Sequence, residues 1–187
     1  KVGANIGKPQ VAYKETVTNL GKAEGKFEHP TTAGKSQYGH VWLQIEPLDR
    51  GEGFRFESCI AEDVIPAAIV PAIEKAVRDS LDAGTLIGFP IVDLKVSLVD
   101  GSYRDEDSTE QAFGVAAAMA FRNAVSEAGP VLLEPVMDVE ITLPESSLGE
   151  VISDLTAKRA KIHGMDSRDG GMQAVKAQVP LAEMFGY

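Results

Sequence analysis

Apolar and polar positions alternate along the first third of the chain with a period of two, the spacing of strands that bury one face. Residues 11–18 and 22–29 read as β-branched and polar alternations joined by Asn19-Leu20-Gly21, a hairpin-like link. Residues 38–46 give a clearer strand, with Val41, Leu43 and Ile45 pointing one way and His40, Trp42, Gln44 and Glu46 the other. The alternation resumes at 54–60 after a Gly51-Glu52-Gly53 turn. From Pro66 the period becomes helical, placing Ile69, Ile73, Ala76, Val77 and Leu81 on one face, with Gly84 as the C-cap. Residues 91–99 are apolar at most positions, as in a strand central to its sheet, and run into Asp100-Gly101, which reads as a turn. A second helix opens with Asp107 or Ser108 as its cap. Its body, 112–125, is small and apolar almost all round, so it needs cover on more than one side before Gly129-Pro130 stops it.

Beyond that break a strand at 136–143 precedes a helix opened by a Ser147/Glu150 capping box, with Leu148, Val151, Ile152 and Leu155 inward. Strands at 161–167 and 172–179 follow, joined by Asp169-Gly170-Gly171. This β-α-β-β order is most of a split βαβ plan, and the chain reaches Tyr187 before another helix and strand, which suggests a piece of something longer. The fold class expected is α+β, with 129–135 as the boundary between two domains.

Composition narrows the functions open to this fold. The 187 residues are 44% hydrophobic, enough for a core, and no apolar run approaches the ~18 residues of a membrane span. The start, Lys1-Val2-Gly3-Ala4-Asn5, has no signal-peptide shape, so a cytoplasmic protein is expected. The one cysteine, Cys59, has no basic neighbour to activate it and reads as strand packing. The net charge of −10 argues against a protein that coats nucleic acid. Residues 1–38 carry six lysines against three glutamates, however, so any RNA contact must be made locally, by tips and loops.

Catalytic and metal motifs are missing. The sequence has no GxxxxGK[ST] or GxGxxG to cradle phosphates and no GxSxG nucleophile elbow. His29, His40 and His163 lack partners at ligand spacing. The alternation Asp105, Asp107, Thr109 imitates a calcium loop, but Glu110 and Ala116 stand where such a loop needs glycine and glutamate. A small-molecule kinase would need a glycine- and serine-rich phosphate loop, also missing. Two polar loops remain. One, 31–40, combines glycines, Lys35, Gln37 and Tyr38; the other, 100–105, places Tyr103 beside Arg104. Such sets can follow a phosphate backbone and stack on unpaired bases, and equally suit ordinary hairpin loops.

At these loops the sequence resembles elongation factor G. The segments that carry the resemblance are Gly7-Lys8-Pro9-Gln10-Val11-Ala12-Tyr13-Lys14-Glu15-Thr16, Gln37-Tyr38-Gly39-His40-Val41, Gly88-Phe89-Pro90-Ile91-Val92-Asp93 and Asp100-Gly101-Ser102-Tyr103. Pro130-Val131-Leu132-Leu133-Glu134-Pro135 and Pro180-Leu181-Ala182-Glu183-Met184-Phe185-Gly186-Tyr187 continue the series in order. The resemblance implies the end of a third domain at 1–7, a fourth domain at 8–129 with a left-handed βαβ crossover like that of a small-subunit ribosomal protein, and an incomplete ferredoxin-like fifth domain at 130–187. It implies no catalytic residue, cofactor or metal here, GTP and magnesium belonging to the full-length translational GTPase. The implied partner is the ribosome, with its RNA and proteins, tRNA and mRNA, approached by a monomer away from any membrane. The implied action is GTP-dependent translocation, with tip loops 33–39 and 101–107 entering the decoding A site of the ribosome. The tip residues are then Gly34, Lys35, Ser36, Gln37, Tyr38, Tyr103, Arg104 and Asp105, with Lys35 on phosphate, Gln37 and Tyr38 on RNA edges or stacking, and Arg104 on tRNA or mRNA backbone. The chain departs from the family pattern at Arg104, where histidine is usual, and at Ser36, where glycine is usual. Those departures leave ribosome recycling or ribosome protection as alternatives to translocation.

Overall fold

The computed structural model describes residues 10–30, 36–61 and 63–187, and the expected domain end at 1–7, Gly34 and Lys35 lie outside them. The described chain is α+β and falls into two compact units, Lys14–Leu133 and one built on Glu134–Tyr187. Among the described residues no helix is long and apolar enough to cross a membrane.

The first unit contains β1 (Lys14–Val17), β2 (Gly21–His29), β3 (Gln37–Pro47), β4 (Phe54–Ser58), α1 (Val70–Ala83), β5 (Leu94–Ser102), α2 (Glu110–Glu127) and β6 (Pro130–Leu133). Its four-stranded sheet has the order β2-β3-β5-β4, and α1 connects β4 to its parallel neighbour β5. The apolar run at 91–99 thus supplies a central strand, as its pattern requires. Val41, Leu43 and Ile45 of β3 and Leu94, Val96 and Leu98 of β5 are fully buried with Ile73 and Val77 of α1 and Phe113 and Phe121 of α2.

Alanine at every fourth position lets α2 lie unusually close to the sheet. Ala112, Ala116, Ala120 and Ala124 are fully buried along it. A Cβ on Gly25 would overlap the Ala116 carbonyl, one on Gly21 that of Ala124, and one on Gly39 that of Ala112. Three glycines of β2 and β3 therefore receive the helix backbone directly, and α1 packs along its flank.

Two turn expectations fail for identifiable reasons. Residues 19–21 do not close a hairpin: Thr18 and Asn19 donate their N–H groups to the Ala128 carbonyl at 3.1 and 2.9 Å, so the link caps the end of α2. Gly129, at φ 66°, then turns the chain so that β6 pairs antiparallel with β1. Asp100-Gly101 lies inside β5, opposite Trp42 and Val41, because a register shift beside Trp42 and Leu43 absorbs the irregularity. Cys59 is also corrected: it is exposed just past β4, with its thiol 3.4 Å from Glu57. Desolvation first, and Glu57 second, raise its pKa, the wrong direction for a nucleophile.

Glu15 fastens β1 to the segment that enters β5. Its fully buried carboxylate accepts N–H bonds from Thr85 (2.8 Å), Leu86 (3.0 Å), Ile87 (3.0 Å) and Phe89 (3.2 Å). Its backbone bonds Pro90 and Val92, and the Thr16 hydroxyl donates to the Val92 carbonyl at 2.8 Å. Burial alone would raise the Glu15 pKa; the four amides outweigh it and hold it at about 2.

The second unit contains β7 (Val136–Pro144), α3 (Leu148–Ala157), β8 (Lys161–Arg168) and β9 (Met172–Pro180), with an antiparallel sheet in the order β7-β9-β8. Leu143, Leu155, Val175, Ala177 and Val179 form its core. The capping box does not form: Ser147 is in helical conformation at the end of a 3-10 turn, Glu145–Ser147, and its side chain makes no cap bond. Arg159, at φ 58°, reaches Glu134 in a bidentate pair at 2.7 and 3.1 Å and Glu183 at 3.1 Å.

Two measurements check this account, both read from Trp42, the chain's one tryptophan and a residue of the first unit. Replacing Gly25 with valine drives a side chain into the α2 backbone, and urea unfolding should show a loss of about 3 kcal/mol; an unchanged midpoint would contradict the seam. Glu15 has its pKa lowered on folding from 4.5 to about 2, so its contribution is complete above pH ~4.5 and fades as pH falls toward ~2. The amide cradle is worth about 3 kcal/mol by that shift, and Glu15→Gln should lose most of it near neutral pH while flattening the acid limb of the stability curve.

Candidate nucleic-acid interface

β2 and β3 run to one end of the first unit, where His29 stands opposite Gln37, and the connection from β5 to α2 arrives at the same end. Three hydrogen-bonded contacts join them. The Tyr38 N–H donates to the Asp107 carbonyl at 2.9 Å, the Ser36 hydroxyl donates to Asp107 Oδ2 at 2.8 Å, and Tyr38 forms a parallel bridge with Ser108. Within the second loop the Ser108 hydroxyl accepts the Arg104 N–H at 2.9 Å, and the Thr109 hydroxyl accepts the Ala112 N–H. Asp107 and Ser108 are thus spent on the loops, and Thr109 caps α2 in their place.

Each described residue expected at the tip has a definite environment. Ser36 is exposed and Gln37 half-buried. Tyr38, expected to offer its ring to a base, is only 4% exposed. Its hydroxyl lies 2.6 Å from Ser102 Oγ, which also contacts His40 Nδ1 at 2.8 Å. The Arg104 guanidinium covers the Tyr38 ring at 3.7 Å from its centre, and Lys26 Nζ sits at 5.7 Å. Tyr103 is half-buried and packs on Phe113 with ring centres 6.3 Å apart, so its ring serves the core. Arg104 and Asp105 are exposed, with Glu106 beside them. Gly34 and Lys35 fall outside the described residues.

The electrostatics turn on a residue that sequence reasoning passed over. Glu28 accepts a bond from Arg104 Nη1 at 3.0 Å through one carboxylate oxygen and faces Lys26 Nζ at 3.3 Å through the other. Arg104 Nη1 also lies 3.9 Å from Asp107 Oδ2. The Arg104 hydrogen bond, followed by that of Lys26, lowers the Glu28 pKa, and Glu28 in turn raises that of Arg104. Among the described residues Arg104 Nε and Nη2 have no acceptor, so half of the guanidinium fork remains open. The Lys26-x-Glu28 alternation was the available signal, since a period of two puts both side chains on one face of β2. Their meeting with Arg104 depends on the β2-β3-β5 register and was not readable without it.

Among the described residues no group of three His, Cys, Asp or Glu side chains converges, and the helix starts follow Ile69, Thr109 and Ser147, not a glycine-rich loop bearing lysine. The arrangement sets the Arg104 and Lys26 cations beside the Tyr38 ring at the end of β2 and β3.

Comparison with known proteins identifies the family. Residues 9–129 match the family model for elongation factor G, domain IV, and residues 131–187 match that for the elongation factor G C-terminus. A solved structure from Thermus thermophilus is 40% identical over 96% of this chain, with a TM-score of 0.79. The chain spans 26% of that protein's length.

The clasp between the loops can be tested apart from any ligand. Asp107→Ala removes the acceptor of Ser36, and amide hydrogen exchange at Tyr38 and Ser108 should accelerate roughly three- to tenfold, the worth of one net hydrogen bond. Exchange within β7 and β9 should stay as it was. Unchanged rates at Tyr38 would mean that the loops are held together by something other than Asp107.

Proposed function

Because the chain belongs to the elongation factor G family, we propose that it is the ribosome-facing part of a translation factor that promotes GTP-dependent movement of tRNA and mRNA. The clasped loops at the end of β2 and β3 enter the decoding A site of the ribosome. The observation that carries this reading is the exposed Arg104, held over a buried tyrosine at the tip of a chain whose net charge is −10. A cation placed over a ring, with Nε and Nη2 unbonded among the described residues, suits bidentate capture of a backbone phosphate.

The division of labour follows from the environments. Arg104 takes phosphate of the tRNA or mRNA, with Lys35 on the neighbouring loop as a second cation. Ser36 and Gln37 present polar groups to RNA edges. Tyr38 acts beneath Arg104 as its platform, a positioning residue. The role is mechanical and electrostatic: a filled A site opposes backward slippage of tRNA and mRNA. GTP binding and hydrolysis belong to a part of the full-length protein outside this chain.

Ribosome recycling is the second reading, favoured by Arg104 itself, a permanent cation paired with Glu28 where the family pattern has a compact, titratable histidine. A purified translation system supplied with the full-length protein separates the two. For translocation, GTP-dependent tRNA movement should be seen, and Arg104→Ala should slow it about tenfold, the effect of one lost charge-assisted bond. Ribosome splitting without tRNA movement would establish recycling in its place, and full activity of the Arg104→Ala protein would remove the tip from the mechanism.

A further inference from the structure

We infer that Glu28 is a built-in competitor for RNA phosphate, a carboxylate that occupies the tip's two cations until a correctly placed phosphate displaces it. The inference rests on the ribosome-facing reading above. Its geometry is that of an anion already bound: one oxygen lies 3.0 Å from Arg104 Nη1 and the other 3.3 Å from Lys26 Nζ. A phosphate would use two of its oxygens in the same way.

Three features separate a competitor from a merely structural ion pair. The cations are also set over the Tyr38 ring, at 3.7 Å for Arg104 and 5.7 Å for Lys26, so their placement survives the departure of Glu28. The Glu28 side chain is 47% exposed and lies next to the last residue of β2, so it can rotate into solvent without breaking the core. With Asp107 3.9 Å from Arg104, the two cations face two carboxylates at close range, and Asp105 and Glu106 lie exposed on the loop that carries Arg104. Cations screened in this way do not draw in any passing polyanion. The tip binds where a phosphate is held at the right place to take over both cations, which converts affinity into discrimination.

The test is binding of the 187-residue chain to isolated small ribosomal subunits carrying mRNA and tRNA, measured across a salt series. Glu28→Gln should bind roughly two- to fivefold tighter at low salt. Its plot of log affinity against log salt should be steeper by up to roughly 0.7–0.9, because in the wild type the displaced carboxylate regains a counterion and offsets release from the phosphate. The gain should vanish when Lys26 and Arg104 are both glutamine, and Glu106→Gln, an equal change in charge on the loop that carries Arg104, should give less. Equal slopes for the wild type and Glu28→Gln would overturn the inference and leave the ribosome-facing reading standing. A gain that persists without the two cations would likewise overturn it, as a bulk charge effect. If neither the wild type nor Glu28→Gln binds, both the inference and the reading fall. Thermal melting of each variant confirms that the fold is intact.

Discussion

Where α2 crosses β2 and β3, backbone meets backbone: helix carbonyls rest on Gly21, Gly25 and Gly39 with no side chain between. This fixes the distance of an 18-residue helix, about 27 Å long, from the strands beneath it. The contacts at the tip depend on that distance, since Ser36 and Tyr38 belong to the start of β3 and Asp107 to the approach to α2. Thr109 starts the helix at the clasp, and Thr18 and Asn19 receive its last carbonyls at the far end. A larger residue at any of the three glycines would tilt the helix and part Asp107 from Ser36 and Tyr38. Small residues far along β2 thus govern a contact made at its end.

Three carboxylate arrangements join segments that carry the resemblance to other parts of the fold. Glu15 and Thr16 of the first segment are the hydrogen-bond partners of residues 85–92, which include most of the third. Gly88 there has φ 88°, and Asp93 accepts the N–H groups of Gly51 and Gly53 from a left-handed conformation. Glu134 of the fifth segment and Glu183 of the sixth share Arg159. Residues distant in sequence are in these cases halves of one bond network, so the pattern reflects structure as much as RNA contact.

The strands and helices were legible because their periods are clean: β3 alternates without fault, and the apolar run before Asp100 could only be central. The links were not. Asn19-Leu20-Gly21 has hairpin composition, but its donors are claimed by the end of α2, a partner more than a hundred residues away. Asp100-Gly101 has turn composition, yet Gly101 sits where a Cβ would come within 2.6 Å of the His40 carbonyl, so the glycine marks a close approach between strands. For the tip, both loops were readable as polar and cationic, whereas Tyr38 and Tyr103 were assigned outward because aromatic rings in loops suggest stacking. Burial decided otherwise, and burial is a property of the register between β3, β5 and α2, which no local window contains.

Ser36 and Arg104, the two residues at which the sequence reads as departing from the family, meet at one carboxylate. The Ser36 hydroxyl and Arg104 Nη1 both address the same atom, Asp107 Oδ2, at 2.8 and 3.9 Å. Ser36 is thereby tied to the carboxylate that flanks Arg104. A guanidinium in place of an imidazole is longer and planar, and Tyr38 supplies the flat surface on which it can be held, a contact worth about 0.5–1 kcal/mol at an exposed site. Each substitution alone would disturb the tip: Ser36 without a fixed partner would leave a stiffened loop unanchored, and Arg104 without Asp107, Glu28 and Tyr38 would be a mobile, strongly charged side chain. Together they give a tip whose cation is permanent but restrained, and that restraint makes the carboxylates around Arg104 as much a part of the candidate interface as Arg104 itself.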